Sequence, residues 1–272
     1  MSEPLAAFDH PPVVETVMSV QFAPLPNFSS PYAGWYWNQC LDEDWVKTEQ
    51  ASPLLDQFER FGSAANWTPV GAKFVVQSGI EPVRVQIVRR DEERMIQLQH
   101  NRFIYNWRKR GDTYPSYEIL RPEFDDQFEQ FSRFVKDAGL GELEPNQWEM
   151  TYVNHIESGT LWQAPTDWSN VLPGFYAPAR GVSGQQFESF GGEWHLVVAP
   201  NRGRLHVNVR HGRVGKPDGP EALVVQLTAR GPIDESKGWT LHTGFELGHK
   251  VIVRSFLALT SKTAQEHWGR RS

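Results

Sequence analysis

Arg204-Leu205-His206-Val207-Asn208-Val209-Arg210 alternates strictly, with Leu205, Val207 and Val209 on one side and Arg204, His206, Asn208 and Arg210 on the other. A period of two marks a strand with one buried and one wet face. Leu223, Val225 and Leu227 repeat the pattern, and Trp194 to Ala199 precedes both, so the three segments read as an antiparallel meander. An earlier stretch has the same character. Val83, Val85 and Ile87 oppose Arg84 and Gln86, and strands at 95–100 and 103–109 follow across the turns Asp91-Glu92-Glu93-Arg94 and Asn101-Arg102.

A helical stripe follows each meander. Phe124, Phe128, Phe131 and Val135 stand at i, i+4, i+7 and i+11, with Pro122 placed to open this helix or kink one beginning near Ser116, and Gly139 placed to end it. Leu241, Phe245, Ile252, Phe256 and Leu259 mark a closing helix over 240–259, after which Thr260 or Ser261 caps a short helix ending near Trp268. A strand and a short helix also precede each meander. In the first half these are Val14 to Phe22 and a helix on Leu54, Phe58 and Phe61 that Gly62 ends; in the second, Trp148 to Ile156 and a helix near 166–172. Short strands at Phe74–Gln77 and Phe187–Phe190 lead into the meanders. Residues 23–50 hold three prolines and Trp35-Tyr36-Trp37 without sustained period, which predicts an ordered loop or lid.

The same order of elements thus runs twice. The expectation is an α+β fold with two pseudo-repeated strand-helix-strand-meander-helix halves, 1–143 and 144–272, whose antiparallel strands carry long helices, as two units or one intimately packed domain.

A chain of 272 residues can bury a sizeable core, and eleven Trp and sixteen Phe supply large side chains for it or for contact surfaces. The net charge of −6, from 33 acidic and 27 basic residues, repels a polyanion in bulk, so a nucleic-acid contact would need a local patch. Cys40 is the only cysteine, which rules out an intrachain disulfide and points to a reducing compartment. The first ten residues lack a basic and an apolar signal region and no apolar run approaches a membrane span, so a cytoplasmic protein without membrane contact is expected.

Three constellations are candidate sites. Trp35, Tyr36 and Trp37 in a proline-rich segment suit contact with a partner, or else plug the end of a sheet. Arg89 and Arg90 in one meander and Arg204, His206 and Arg210 in the other would make a phosphate or nucleic-acid surface if their wet faces point the same way; internal pairing with Asp91, Glu92 and Glu93 is the simpler reading. His242, Glu246 and His249 project from one side of the closing helix, and Glu-x-x-His is half of a carboxylate-bridged metal pattern, without a second Glu-x-x-His to complete it. Cys40 lacks a flanking nucleophile signature, and Gly181-Val182-Ser183-Gly184 lacks the hydrolase elbow, so no residue is assigned a catalytic role and no cofactor is expected.

Pro11-Pro12-Val13-Val14-Glu15 ahead of a strand, the Tyr152-Val153-Asn154 centre of another, Tyr114-Pro115 ahead of the Phe-rich helix, and His249, Phe256, Thr260 and His267-Trp268 resemble a sporadically distributed, largely uncharacterised family of prokaryotic proteins of about this length. The resemblance spans nearly the whole chain and brings no active site to transfer. It implies a bacterial or archaeal cytoplasmic protein of patchy occurrence, as is common among accessory and defence-associated genes. The leading functional expectation is a non-enzymatic binding or regulatory protein presenting aromatic and Arg-rich surfaces to a protein partner, an accessory of a defence or toxin-related operon. A nucleic-acid or nucleotide binder using the Arg strands and a metal-dependent enzyme on the His242, Glu246 and His249 face are the alternatives.

Overall fold

The computed structural model describes residues 5–62, 83–175 and 188–271. In chain order its elements are β1 (Ala7–Phe8), β2 (Val13–Phe22), α1 (Ser30–Cys40), β3 (Trp45–Ala51), β4 (Arg84–Arg89), β5 (Arg94–Gln99), β6 (Arg102–Arg108), α2 (Tyr117–Asp137), β7 (Pro145–Glu157), β8 (Gly192–Ala199), β9 (Gly203–Arg213), β10 (Glu221–Pro232), α3 (Leu241–Leu259), α4 (Lys262–His267) and β11 (Arg270–Arg271). β2 and β7 each open a half, and they pair with one another antiparallel, Met18 opposite Met150 and Val20 opposite Trp148. Outward from β2 lie β6, β5, β4 and β3; outward from β7 lie β10, β9 and β8. Each half therefore reads the same way from the seam, its opening strand first and its meander in reverse. The result is one nine-stranded antiparallel sheet in an α+β fold, with the two halves on either side of the β2–β7 seam.

Alternation decides which face the helices cover. Met18, Val20, Phe103, Trp148, Leu205, Val207 and Leu227 are buried on one side. There α2 lays Phe124, Phe128 and Phe131 around Phe103, at ring separations of 5.9, 5.5 and 5.3 Å, and α3 meets α2 where Phe245 stands edge-on to Phe124 at 5.0 Å. α2 starts at Tyr117 and carries Pro122 inside it, the longer of the two expected helices. Thr240 caps α3, its hydroxyl accepting the Thr243 amide at 3.2 Å, and Ser261 caps α4 through the Ala264 amide at 3.1 Å. The chain ends close on each other, β1 pairing with β11 and Phe8 packing on Phe256 and Trp268 at 6.0 and 6.2 Å. No described helix is long and apolar enough to cross a membrane.

Three expectations fail. Residues 23–50 are not a loop, because Pro31 in the first turn starts α1, which buries Ala33 and Tyr36 against α2, Tyr36 meeting Phe131 and Phe134 at 5.7 and 5.4 Å. β3 then runs along the sheet edge with only Trp45 buried and Lys47 and Glu49 outward, the charged character of an edge strand. The helix expected on Leu54, Phe58 and Phe61 is absent, since residues 52–61 are extended with Leu55 and Phe58 exposed. The strand expected at 74–77 lies outside the described residues, as does Phe187; residues 188–190 are not a strand.

The extended segment is a strap that crosses the sheet face opposite the helices. Its backbone groups, which a helix would have satisfied internally, are taken up by side chains of successive strands. Gln99 on β5 both accepts the Leu54 amide (2.8 Å) and donates to the Leu54 carbonyl (2.9 Å). Gln21 on β2 accepts the Gln57 amide at 3.0 Å, Gln147 on β7 accepts the Glu59 amide at 2.9 Å, and Arg102 donates to the Leu55 carbonyl at 3.2 Å. Beyond β7, the strap ends with Glu59 among Arg204, Arg230 and His206 and with Phe61 under the Arg204 guanidinium, 5.0 Å away.

Candidate functional site

Tyr152 is a polar aromatic on the apolar face of β7, and it lines a cavity of about 300 Å³. α3 brings His249 over it, with Nδ1 at 3.0 Å from the Tyr152 hydroxyl. The start of α2 brings Tyr117, whose ring stacks on His249 at 4.2 Å and 7° and whose hydroxyl donates to Glu246 at 2.8 Å. The loop before α2 contributes Tyr114, and β7 adds Asn154, whose amide donates to the Val225 carbonyl at 3.0 Å. Residues 5–8 and 11–13 with Ile252, Val253 and Phe256 complete the wall in apolar side chains, and Glu118 and Arg271 stand exposed at the rim. Both halves of the chain thus contribute to one cavity.

Its polar end is uncharged at neutral pH. Burial raises the phenols of Tyr114, Tyr117 and Tyr152 above the ordinary tyrosine value, so all three keep their protons. Burial pushes the His249 imidazole below its ordinary value, against the opposing pull of Glu118 and Glu246. The set can accept and donate hydrogen bonds around a planar molecule but offers a charged one no counter-ion except at the rim.

The sign of the pH dependence follows from His249. A histidine with a depressed folded pKa binds fewer protons than the unfolded chain, so the stability it contributes is full above about pH 6.5 and is lost as pH falls toward the folded value. Tyr117, Tyr152, Glu118 and Glu246 are the titratable groups that face it. His249→Gln is expected to flatten the fall in unfolding free energy between pH 7.5 and 5.5; a variant with the parent's full acid slope would show that the imbalance lies elsewhere.

The expected sites are distributed differently. His242 is exposed and Glu246 is held by Tyr117, and among the described residues His242, Glu246 and His249 do not converge as metal ligands. Arg89 shares the helix side of β4 with Val85 and Ile87 and pairs with Asp44 at 3.5 Å and Asp91 at 3.8 Å, while Arg90 pairs with Asp44 at 3.5 Å. Arg204 and His206 lie on the strap side and close on Glu59, and Arg210, on the same side, is exposed. The structure therefore does not bring the two arginine groups onto one surface. Trp35, Tyr36 and Trp37 sit together on α1 but point apart: Trp35 is 48 % exposed, Tyr36 is fully buried, and Trp37 donates its indole N–H to the Trp45 carbonyl at 2.6 Å. Burial and the nearby Asp137 raise the Cys40 thiol, the reverse of an activated nucleophile.

Tyr114, Tyr117 and Tyr152 were not among the expected site residues. The one signal available was a tyrosine on the apolar parity of a strand, a position where a phenol needs a buried partner. No family model matches the chain, and neither a curated protein nor a solved structure matches it significantly.

Proposed function

We propose that this chain is a binding or regulatory protein that takes one small, uncharged, largely apolar molecule into the cavity at the seam of its halves and works without a chemical step of its own. The observation that carries this reading is the shared lining, Tyr114 and Tyr117 from the first half and Tyr152 and His249 from the second, around a volume at the small end of ligand cavities. The apolar wall supplies affinity and the neutral phenol, imidazole and amide groups supply orientation. Ligand-observed NMR against planar fragments tests it. Neutral aromatic fragments are expected to bind in preference to carboxylates or amines, and Val253→Trp, which fills the cavity from its half-buried wall, is expected to abolish binding. Fragments that bind Val253→Trp as well as the parent would overturn the assignment.

A second reading, contact with a protein partner, is favoured by the exposure of Trp35. α2 begins at the cavity and reaches Phe134, on which Trp35 packs edge-on at 5.5 Å, seventeen residues and about 26 Å further along the helix axis. One rigid element thus joins the cavity to the exposed indole. Trp35→Ala is expected to weaken a partner by about 2 kcal/mol with little effect on the thermal midpoint. Tyr36→Ala is expected to destabilise by about 3–5 kcal/mol because its ring is wholly buried. If both variants melt far below the parent, Trp35 belongs to the packing and not to a contact surface.

A further inference from the structure

On the strap face of the second half, β8 and β9 pair so that His195 stands directly opposite His206, and Glu193 lies two residues before His195 on the same side. The two imidazoles meet nitrogen to nitrogen, His195 Nδ1 at 2.7 Å from His206 Nδ1, and a Glu193 carboxylate oxygen lies 3.8 Å from His195 Nε2. One ligand-type atom from each of the three side chains falls within a 4.8 Å span. The far nitrogen of His206, Nε2, lies 2.6 Å from Glu59, which is itself held by Arg204 and Arg230. A carboxylate on one imidazole nitrogen assigns the proton there and leaves the lone pair on the other, the outer-sphere arrangement that orients metal-bound histidines.

We propose that Glu193, His195 and His206 form a binding site for one divalent transition-metal ion of the zinc, cobalt or nickel class, with Glu59 as the outer carboxylate that orients His206. Two imidazoles and one carboxylate suit these ions and offer too few oxygens for calcium or magnesium. Metal–nitrogen bonds of about 2.0–2.1 Å in a tetrahedron set ligand nitrogens about 3.3 Å apart, so the imidazoles need to separate by roughly 0.6 Å, and Glu193, which stands against His195 Nε2, needs to turn its carboxylate toward the Nδ1 side. Both are placed to do so, the His195 and His206 side chains being 25 and 17 % exposed beside an edge strand. Among the described residues the ion-pair cluster around the site is net acidic, the carboxylates of Glu59, Glu149 and Glu193 standing against the guanidiniums of Arg204 and Arg230.

The competing account is an imidazole–imidazole hydrogen bond with no ion. Equilibrium titration of the full chain, stripped with chelator, with Zn²⁺ and Co²⁺ decides between them. The expected result is one ion per chain, a Co²⁺ ligand-field spectrum of low-symmetry nitrogen and oxygen coordination, and no competition from a large excess of Mg²⁺. His195→Gln is the primary variant because it leaves in place the Arg204, Arg230 and His206 side chains that hold Glu59 at the strap end; it is expected to weaken Co²⁺ binding by more than about 100-fold, beyond the range of outer-sphere changes, whereas Glu59→Gln is expected to weaken it about 10–100-fold. Circular dichroism and the metal-free melting midpoint establish that His195→Gln is folded, and His195→Phe, which keeps ring volume without a ligand atom, is expected to behave alike. Absence of stoichiometric binding by the parent, or parental affinity in either folded His195 variant, overturns the proposal.

Discussion

Replacing Glu59 with Leu is expected to destabilise the metal-free protein by about 3–5 kcal/mol, the cost of stranding a buried charge when its partner is removed. The Glu59 side chain is 5 % exposed, and it neutralises the Arg204 and Arg230 guanidiniums, themselves 10 and 12 % exposed. Those contacts hold its carboxyl below the ordinary value despite burial, with His206 the largest favourable influence. Arg230 keeps a second carboxylate in Glu149 at 3.3 Å, whereas among the described residues Arg204 has no carboxylate besides Glu59, its other contacts being the Arg60 carbonyl and the Phe61 ring, so Arg204 carries most of the penalty. Urea denaturation measures the loss. The double variant Glu59→Leu, Arg204→Met is expected to lose less than the sum of the single changes, because it removes the stranded charge with its partner. Limited proteolysis adds a structural readout, since a strap that has lost its terminal anchor should be cut between residues 52 and 61 where the parent is not. A loss under about 1 kcal/mol, the scale of an exposed pair, would show that the strap end is solvated and the pairing incidental.

Trp148→Ala is expected to cost a similar amount, about 3–5 kcal/mol, for a different reason. The indole is 2 % exposed and lies in a cradle of four glycines, Gly203 and Gly231 from the strands and Gly244 and Gly248 from α3. A Cβ on Gly248 would lie 2.9 Å from the ring, and one on Gly244 would press into its pyrrole edge. α3 can therefore approach β7 only because these two positions have no side chain. At an ordinary helix position Gly→Ala stabilises by about 1 kcal/mol through backbone entropy. At Gly244 the expected sign is reversed, a loss of about 1–3 kcal/mol from overpacking. In the Trp148→Ala background the same change is expected to become stabilising again, and that sign reversal in a double-mutant cycle is the decisive result. Gly244→Ala that stabilises the parent would mean the helix rides further from the sheet than the ring contacts indicate.

Much of the architecture was legible in local pattern. The alternation of Leu205, Val207 and Val209 and of Leu223, Val225 and Leu227, the stripes of α2 and α3, and a cap at Thr260 or Ser261 depend on neighbours within one or two turns, which the sequence displays directly. The doubling of opening strand, meander and long helix was legible too, and it appears as two meanders read outward from the β2–β7 seam, although among the described residues the short helix and short strand expected between opening strand and meander did not recur as read. α1 and β3 were not, because α1 buries only Ala33 and Tyr36 and β3 buries only Trp45, too few apolar positions to make a period. The strap misled in the opposite direction. Leu54, Phe58 and Phe61 have helical spacing, but Gln21, Gln99 and Gln147, distant in sequence, bind the backbone amides and carbonyls that the helix would have used, and long-range partners outweigh a weak local preference.

The sequence by itself determined the strands of the two meanders, the opening strands β2 and β7 and the long helices α2 and α3, which face of each is apolar, and that strand, meander and helix recur in that order. Only the tertiary structure decided what those faces assemble. Tyr114, Tyr117, Tyr152 and His249 share one cavity because β2 pairs with β7 and α2 meets α3, and His195 faces His206 because β8 pairs with β9 in one register. A shift of that register by a single residue would send one of the two histidines to the opposite face of the sheet. Periodicity is a property of one segment and can be read along the chain, whereas convergence is a property of the register and crossing between segments, which packing of the whole core selects.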